Sequence, residues 1–385
     1  MTSYPIYLDY NATTPCDPRV VDAMLPYFTQ DFGNAASKSH AYGWVAAEAV
    51  DIAREQVAAL IGSEPGEIIF TSGATESVNL AIQGVYQMYH GKGNHIITTS
   101  VEHKAVLDTC RYIESIGGEV TVLPVDRNGR VDPHAVEEAI RETTVLICIM
   151  YANNETGTIM PVKEIGAIAK KHNVIFFSDA TQAAGKIPVN VKEDGIDLLC
   201  LSAHKLYGPK GCGALYVRRR DPRVRLTPLQ YGGGHEKGMR SGTLNVPGIV
   251  GLGKACELAM KEMDVDSARM TSLRDELLKD LLSIGGTSLN GDMDNLLPQT
   301  CNLSFNGIDS QVLIGQLNKN LAISSGSACT SASIEPSHVL RALGIGDELA
   351  SCSVRFSLGR FTTREDIAKA LDIIRDAIVK LRMSP

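Results

Sequence analysis

The sequence predicts an α/β protein with a mainly parallel sheet in a large domain and a smaller α+β domain after it. Between about residues 67 and 217, short apolar runs alternate with segments of helical periodicity, the pattern of strand–helix units around a parallel sheet. Most of these runs are apolar almost throughout, as expected for strands covered on both faces. After about residue 260 the pattern changes to longer amphipathic helices.

Seven apolar runs are expected to be strands: EIIFT (67–71), HIITTS (95–100), EVTVLPV (119–125), VLICIM (145–150), VIFFSD (174–179), DLLCLS (197–202) and GALYV (213–217). Apolar residues at helical spacing predict helices over 161–172, 267–282 and about 364–382, the last with Thr363 as its N-cap. We expect a large domain over 16–260 and a small domain made of 1–15 plus 261–385.

The composition is that of an ordinary globular protein, with 44% hydrophobic and 21% charged residues. A net charge of −7 and the lack of a long basic run argue against direct binding of nucleic acid or a membrane surface. No run of about 18 apolar residues predicts a membrane span, and the N-terminus does not have the pattern of a signal peptide. The nine cysteines are scattered without CxxC pairs, which predicts neither disulfides nor a metal site and favours the cytoplasm.

Polar residues follow four of the predicted strands. His103, Asn154, Asp179 and Lys205 each lie at or just beyond the end of a strand. Because ligands of open parallel sheets bind beyond the carboxyl ends of the strands, we expect these side chains to meet at one site. Partial desolvation at this position would lower the pKa of the Lys205 amine, and we therefore expect that Lys205 can form a Schiff base. Asp179 at the end of a buried run requires a partner, for which a protonated pyridine nitrogen is suited.

A second pattern predicts a phosphate site. Thr71-Ser-Gly-Ala-Thr75-Glu76 follows a strand and opens a helix expected to begin near Ser77. Backbone N–H groups and the positive end of the dipole at a helix N-terminus attract an anion. Hydroxyl groups of Thr75 and Ser202 and the imidazole of His204 could complete the site.

The third pattern is a run of small residues over 324–333, SSGSACTSAS, which contains Cys329. Such a run predicts an exposed loop, where packing does not explain a cysteine. A thiolate there is a strong nucleophile. From the residues alone, a catalytic thiol and an incidental surface cysteine remain equally open.

These segments together resemble the cysteine desulfurases of the class V aminotransferase superfamily over essentially the whole chain. The matching segments are YLDYNATTP (7–15), FTSGATES (70–77), EHKAVLDT (102–109), YANNETG (151–157), SDATQAAGK (178–186), SAHKLYGPKG (202–211), RSGTLNVPGIVG (240–251), SSGSACTSAS (324–333) and RFSLGRF (355–361). The resemblance implies fold type I, pyridoxal 5′-phosphate (PLP) as cofactor and a homodimer. The cysteine segment resembles that of the group I branch, which supplies sulfur for iron–sulfur clusters and tRNA thiolation.

The resemblance also implies a role for individual residues. Lys205 is similar to the Schiff-base lysine, His103 to the ring-stacking proton-transfer group and Cys329 to the nucleophile that becomes a persulfide. The implied cofactor contacts are Ala74, Thr75, Asn154, Asp179, Gln182, Ser202, His204, Lys205 and, from the second subunit, Thr243. Asn154, Arg355 and Asn11 are implied at the substrate carboxylate.

The activity expected from this resemblance is conversion of L-cysteine to L-alanine, with the sulfur passed through Cys329 to an acceptor such as an iron–sulfur scaffold protein. The nearest enzyme alternative is another class V member, either an aminotransferase or a selenocysteine lyase. A non-catalytic PLP-binding protein or sulfur-carrier platform is the alternative from another class. The sequence leaves the identity of the sulfur acceptor open.

Overall fold

The computed structural model describes residues 4–325 and 336–383. The strands of the described residues are β1 (Ile6–Tyr7), β2 (Ile68–Thr71), β3 (His95–Thr99), β4 (Glu119–Leu123), β5 (Thr144–Cys148), β6 (Ile175–Asp179), β7 (Leu198–Ser202), β8 (Gly213–Val217), β9 (Thr287–Leu289), β10 (Thr300–Phe305), β11 (Leu321–Ala322), β12 (Ser324–Ser325) and β13 (Ser353–Ser357). The helices are α1 (Pro18–Met24), α2 (Pro26–Thr29), α3 (Ala41–Ile61), α4 (Ala74–Tyr89), α5 (Lys104–Ser115), α6 (Pro133–Glu138), α7 (Val162–His172), α8 (Val246–Leu282), α9 (Ser310–Leu317), α10 (His338–Ala342), α11 (Asp347–Ser351) and α12 (Arg364–Met383), with short 3₁₀ helices at Pro65–Glu67, Ala203–Lys205 and Glu236–Gly238.

The larger sheet has seven strands in the order β2-β8-β7-β6-β5-β3-β4. Strands β4, β3, β5, β6 and β7 are parallel to one another, whereas β8 is antiparallel to both β2 and β7. All seven strands predicted from apolar runs are present in this sheet. The prediction of a mainly parallel α/β sheet is therefore confirmed.

Helices cover this sheet on both faces. Successive residues of a strand point to opposite faces and therefore pack in different cores. Phe176 packs in one core with residues of α3, α7 and α8, and Phe177 packs in the other with residues of α4 and α5. Burial on both sides explains why the strand sequences are apolar at nearly every position. A ligand of such a sheet is expected beyond the carboxyl ends of its strands.

A smaller antiparallel sheet has the order β12-β13-β10-β9, and β1 pairs in parallel with β11 beside it. Its core includes Leu277 of α8, Phe305, Phe356 and Ile374 of α12. Helix α8 reaches both cores, since Leu252 near its start packs with the larger sheet. The division at residue 260 falls within this helix and stays a prediction.

Two helices begin earlier than their sequence pattern indicates. Helix α4 begins at Ala74 rather than near Ser77, because Gly73, with a φ of 153°, ends the turn that follows β2. Helix α8 includes the predicted 267–282 segment but begins at Val246. Thr363 does cap α12, since its Oγ1 accepts from the N–H of Asp366 at 3.1 Å. Within the described residues no helix is both long and apolar enough to cross a membrane.

Candidate active site

A cavity of about 540 Å³ lies beyond the carboxyl ends of the parallel strands. The larger sheet supplies most of its wall, and Asn11 and Arg355 close it from the side of the smaller sheet. The predicted site residues that line it are Asn11, Ala74, Thr75, His103, Asn154, Asp179, Gln182, Ser202, His204, Lys205 and Arg355. The structure thus brings together side chains that are up to 344 positions apart in the sequence.

The N-terminus of α4 forms a cradle for an anion at one end of the cavity. Gly73 is the N-cap residue and no side chain caps the helix, so the first-turn N–H groups are open to a ligand. Strand β8 passes directly behind the turn: a Cβ added at Gly213 would lie only 2.7 Å from the Cα of Gly73. Ser202 and His204 line the same cavity from the end of β7. The geometry is suited to a phosphate group.

The imidazole of His204 is uncharged at this cradle. Burial, followed by the charges of Lys205, Lys210 and Lys186, lowers the pKa of its imidazole to about 4. Its Nδ1 lies 3.1 Å from the Oγ1 of Thr13. At neutral pH the ring therefore provides a hydrogen bond and no charge.

Lys205 lies in the 3₁₀ helix that follows β7. Its Nζ donates to the backbone oxygen of Ala12 at 2.6 Å and to that of Asn11. Asp179, largely buried at the end of β6, accepts the backbone N–H of Thr181 on its Oδ1 at 2.9 Å. An amine and a carboxylate therefore lie in the same cavity, as the strand-end pattern predicts.

His103 is the N-cap residue of α5, a role that the sequence analysis does not anticipate. Its Nδ1 accepts the backbone N–H of Ala105 at 3.1 Å. In the neutral ring the proton is consequently on Nε2. The cap fixes the imidazole at the cavity wall and defines which nitrogen can donate.

Arg355 is 2% exposed and lies on β13, where its Nη1 donates to the backbone oxygen of Asn154 at 3.0 Å. Its Nη2 also forms an ion pair with Asp9 at 2.7 Å, which the sequence analysis missed. The Nε of Arg355 and the Oδ1 of Asn11 are buried without a hydrogen-bond partner in the described part of the chain. Such polar groups at a cavity wall are suited to a polar ligand.

Two buried carboxyl groups beside the site were also missed. Glu102 precedes His103, and burial raises its pKa to about 8. Glu155 follows Asn154, and burial raises its pKa to about 7. The available sequence signal was their adjacency to predicted site residues. Further lining residues that lie within the same motif segments are Ala12, Thr13, Ser72, Gly73, Glu76, Ala105, Ala152, Thr181, Lys210 and Gly211.

Two predicted site residues do not line this cavity. Thr243 is exposed at the surface between the 3₁₀ helix Glu236–Gly238 and α8. Cys329 lies outside the described residues. Among the described residues, no group of three or more histidine, cysteine or acidic side chains could hold a metal ion.

The fold is that of the class V aminotransferases. The sequence profile of the family named "Aminotransferase class-V" matches residues 6–370, and the chain belongs to this family. Proteins of this family depend on PLP.

The chain is similar to proteins named "Cysteine desulfurase IscS". It is 54% identical to that of Anaeromyxobacter sp. (strain K) over 383 residues, which cover 99% of this chain and 94% of the relative. It is 55% identical to that of Shewanella denitrificans over 384 residues, which cover 99% and 95%. A solved structure called "NIFS-LIKE PROTEIN" has a TM-score of 0.90 at 37% identity and covers 98% of this chain and 99% of its own. Another, "SspA in complex with cysteine", has a TM-score of 0.82 at 40% identity, covering 93% and 99%.

The residues of the cavity fit PLP. The uncapped N-terminus of α4, with Ser202 and His204, is suited to bind the phosphate of PLP. The carboxylate of Asp179 can pair with a protonated ring nitrogen, and the Nζ of Lys205 can react with the aldehyde. The buried unpartnered atoms of Asn11 and Arg355 leave polar groups for a substrate beside the ring.

Proposed function

We propose that the protein is a cysteine desulfurase, which converts L-cysteine to L-alanine and holds the sulfur as a persulfide on Cys329. The observation that carries the proposal is the cavity that joins Lys205, Asp179 and the N-terminus of α4, in a chain 54% identical to proteins named cysteine desulfurases. The nearby guanidinium of Arg355 gives the same cavity a group for an amino-acid carboxylate.

The residues of the cavity divide the work of binding. The cradle of α4, with Ala74, Thr75, Ser202 and His204, holds the phosphate end of PLP. Asp179 orients the ring through its nitrogen and Gln182 contacts the ring oxygen. Asn154, Arg355 and Asn11 receive the substrate carboxylate, an arrangement that Asp9 supports by holding Arg355 in place at 2.7 Å.

Bound PLP acts as an electron sink that makes the Cα proton of the substrate acidic. The Nζ of Lys205 takes this proton and later returns one, since it is the amine at the cavity wall. His103 donates from Nε2, because Nδ1 is occupied by the backbone N–H of Ala105. Positioned groups of this kind contribute about 10²–10⁴-fold to a rate.

In the sulfur-transfer step the Cys329 thiolate attacks the sulfur of the substrate. An S–S bond forms while the Cβ–S bond of the substrate breaks, and the electron pair of the broken bond stays on the carbon fragment, which takes up a proton at Cβ. L-cysteine plus one thiol therefore gives L-alanine plus one persulfide. The step requires no external oxidant or reductant.

The other cysteines are poorly suited to this role. Of the eight described cysteines, seven are buried and none lines the cavity. Burial raises the pKa of Cys110, Cys212 and Cys301 to about 12, which keeps these thiols protonated at neutral pH. Cys329 is the remaining cysteine of the sequence.

The test is alanine formation from L-cysteine without any keto acid. We expect the protein to produce alanine and, with a reductant present, sulfide. Cys329→Ser should lose both while it keeps the absorbance of bound PLP, whereas Cys16→Ser, a half-buried thiol away from the cavity, should retain both. A strict requirement for a keto acid would indicate an aminotransferase. Normal turnover by Cys329→Ser would disprove the role of Cys329.

We also infer a homodimer in which Thr243 of one subunit contacts the phosphate of the PLP that is bound in the cavity of the other subunit. Helices α1 to α3 and the segments between them expose several large aromatic side chains: Phe28, Phe32, Tyr42 and Trp44. Monomers rarely expose extended apolar patches. Thr243 is exposed and separate from the cavity of its own chain, as a group that serves a partner has to be.

The sulfur acceptor is proposed to be a protein of iron–sulfur cluster assembly in the cytoplasm, with tRNA thiolation as a further destination. The name "Cysteine desulfurase IscS" of the 54% identical relatives supports the iron–sulfur cluster destination. Incubating the protein with ³⁵S-cysteine and capturing the proteins that become labelled would test it. Label on an iron–sulfur scaffold is the expected result, and label on unrelated proteins alone would contradict it.

A further inference from the structure

A buried lysine lies behind the cavity and has no part in the chemistry described so far. Lys186 is 4% exposed and is not among the residues that line the cavity. Burial, followed by the charge of Lys205, lowers the pKa of its amine to about 7. Burying an amine is costly unless it is hydrogen-bonded. The hydrogen-bond partners of Lys186 therefore indicate which groups this residue positions.

Lys186 begins a chain of hydrogen bonds that ends at Lys205. Its Nζ donates to the Oε1 of Gln182 at 3.1 Å. The Nε2 of Gln182 donates to the backbone oxygen of Asn11 at 3.0 Å. That same oxygen accepts a hydrogen bond from the Nζ of Lys205.

This chain determines the orientation of the Gln182 amide. A glutamine amide has an acceptor oxygen and a donor nitrogen, and rotation by 180° exchanges them. The oxygen of Asn11 can only accept, and the amine of Lys186 donates, so both neighbours favour the same orientation. A neutral amine retains N–H donors, and the orientation therefore holds in either protonation state of Lys186.

We propose that Lys186 is a positioning residue that fixes the Gln182 amide with its nitrogen toward Asn11 and the cavity, and so determines the hydrogen bond that this nitrogen offers to PLP. The proposal rests on the proposed function for the presence of PLP. Lys186 itself does not line the cavity that would hold PLP and substrate. Its effect is expected to pass entirely through Gln182.

A double-mutant cycle tests this dependence, with the rate of PLP release from the holoenzyme as the readout. Lys186→Met retains the length of the side chain and removes the donor. It should speed PLP release about two- to tenfold, the effect of one hydrogen bond. Gln182→Met should do the same, and the double variant should equal Gln182→Met because the first residue acts through the second. Multiplied effects in the double variant, or wild-type release from Lys186→Met, would overturn the proposal.

Two further variants separate positioning from a structural role. Ser267→Ala removes the hydroxyl that donates to the backbone oxygen of Lys186 and leaves the amine in place. It should lower the melting temperature and leave PLP release at the wild-type rate; release as fast as from Lys186→Met would contradict the proposal. Lys186→Gln retains N–H donors and should release PLP more slowly than Lys186→Met, and equal rates would also contradict it. A wild-type protein that binds PLP but makes no alanine would disprove only the proposed function.

Discussion

At the scale of the residue, Asp179 shows how one side chain serves both the fold and the site. Its Oδ1 accepts the backbone N–H of Thr181 at 2.9 Å at the end of β6. An asparagine can retain this hydrogen bond through its own oxygen but cannot carry the negative charge that pairs with a protonated ring. Asp179→Asn should consequently fold normally and lose about 10²–10³-fold in kcat. Steady-state alanine formation, with the melting temperature as control, checks this; activity within threefold of wild type would be inconsistent with the role of Asp179.

Glu102 illustrates a different effect of burial at the same scale. Its Oε1 accepts hydrogen bonds from Thr99 at 2.8 Å and from the backbone N–H of Met150 at 2.9 Å. Burial raises its pKa from 4.5 to about 8, so the folded protein favours the neutral acid. The stability that this group contributes is full below its unfolded pKa and is lost as the pH rises toward 8.

Glu102→Gln should remove this pH dependence, because a neutral amide replaces the neutral acid. The free energy of unfolding of the variant, relative to wild type, should increase as the pH rises from about 4.5 to 8. Urea denaturation at several pH values measures it, with Glu142→Gln, an exposed carboxyl, as control. A difference that stays constant across this range would show that Glu102 is not held neutral.

At the scale of the element, the phosphate cradle depends on how closely β8 approaches the turn before α4. A Cβ at Gly213 would lie 2.7 Å from both the Cα of Gly73 and the backbone oxygen of Leu201. Backbone atoms cannot move aside as a flexible side chain can. The spacing between β8 and the turn therefore admits only glycine.

Gly213→Ala should displace the turn and weaken the binding of PLP, with a loss of about 1–3 kcal/mol in stability. Gly285→Ala is the matched control, since a Cβ there meets no atom within 4 Å. Fluorescence titration of the apoprotein with PLP, alongside urea denaturation, measures both effects. Unchanged PLP affinity in Gly213→Ala would show that the cradle tolerates the displacement.

Most of the large sheet could be predicted because its strands are continuous apolar runs. Each of the seven predicted strands, such as VIFFSD, lies within two residues of its observed bounds. The strands of the smaller sheet and the β1–β11 pair were not predicted individually, and three of these strands, β1, β11 and β12, have only two residues each. Strand patterns are difficult to detect at such lengths.

The site was predictable where residues follow strands and not where distant segments meet. The strand-end rule places His103, Asp179 and Lys205 at one edge. The pairing of Asp9 with Arg355 joins residues 346 positions apart, and no local pattern indicates it. The N-terminal segment meets β13 through a parallel bridge between Asp9 and Ser357.

At the scale of the whole molecule, the exposed aromatic residues of the N-terminal helices predict a dimer interface. Phe32 and Trp44 are 63% and 59% exposed. The double variant Phe32→Asp, Trp44→Asp should convert a dimer to a monomer, as measured by sedimentation equilibrium. Tyr112→Asp, which changes an exposed aromatic residue on α5, should remain dimeric. A monomeric wild-type protein would contradict the inference.

The central claim is that the cavity at the strand ends holds PLP on Lys205. Borohydride reduction of the holoenzyme followed by peptide mapping tests it most directly, because reduction makes the bond between PLP and its lysine permanent. We predict the pyridoxyl group on the peptide that contains Lys205. Lys186 and Lys210, whose charges reach the same site, should remain unlabelled. Label on either of them, or on any lysine away from the cavity, would contradict the account.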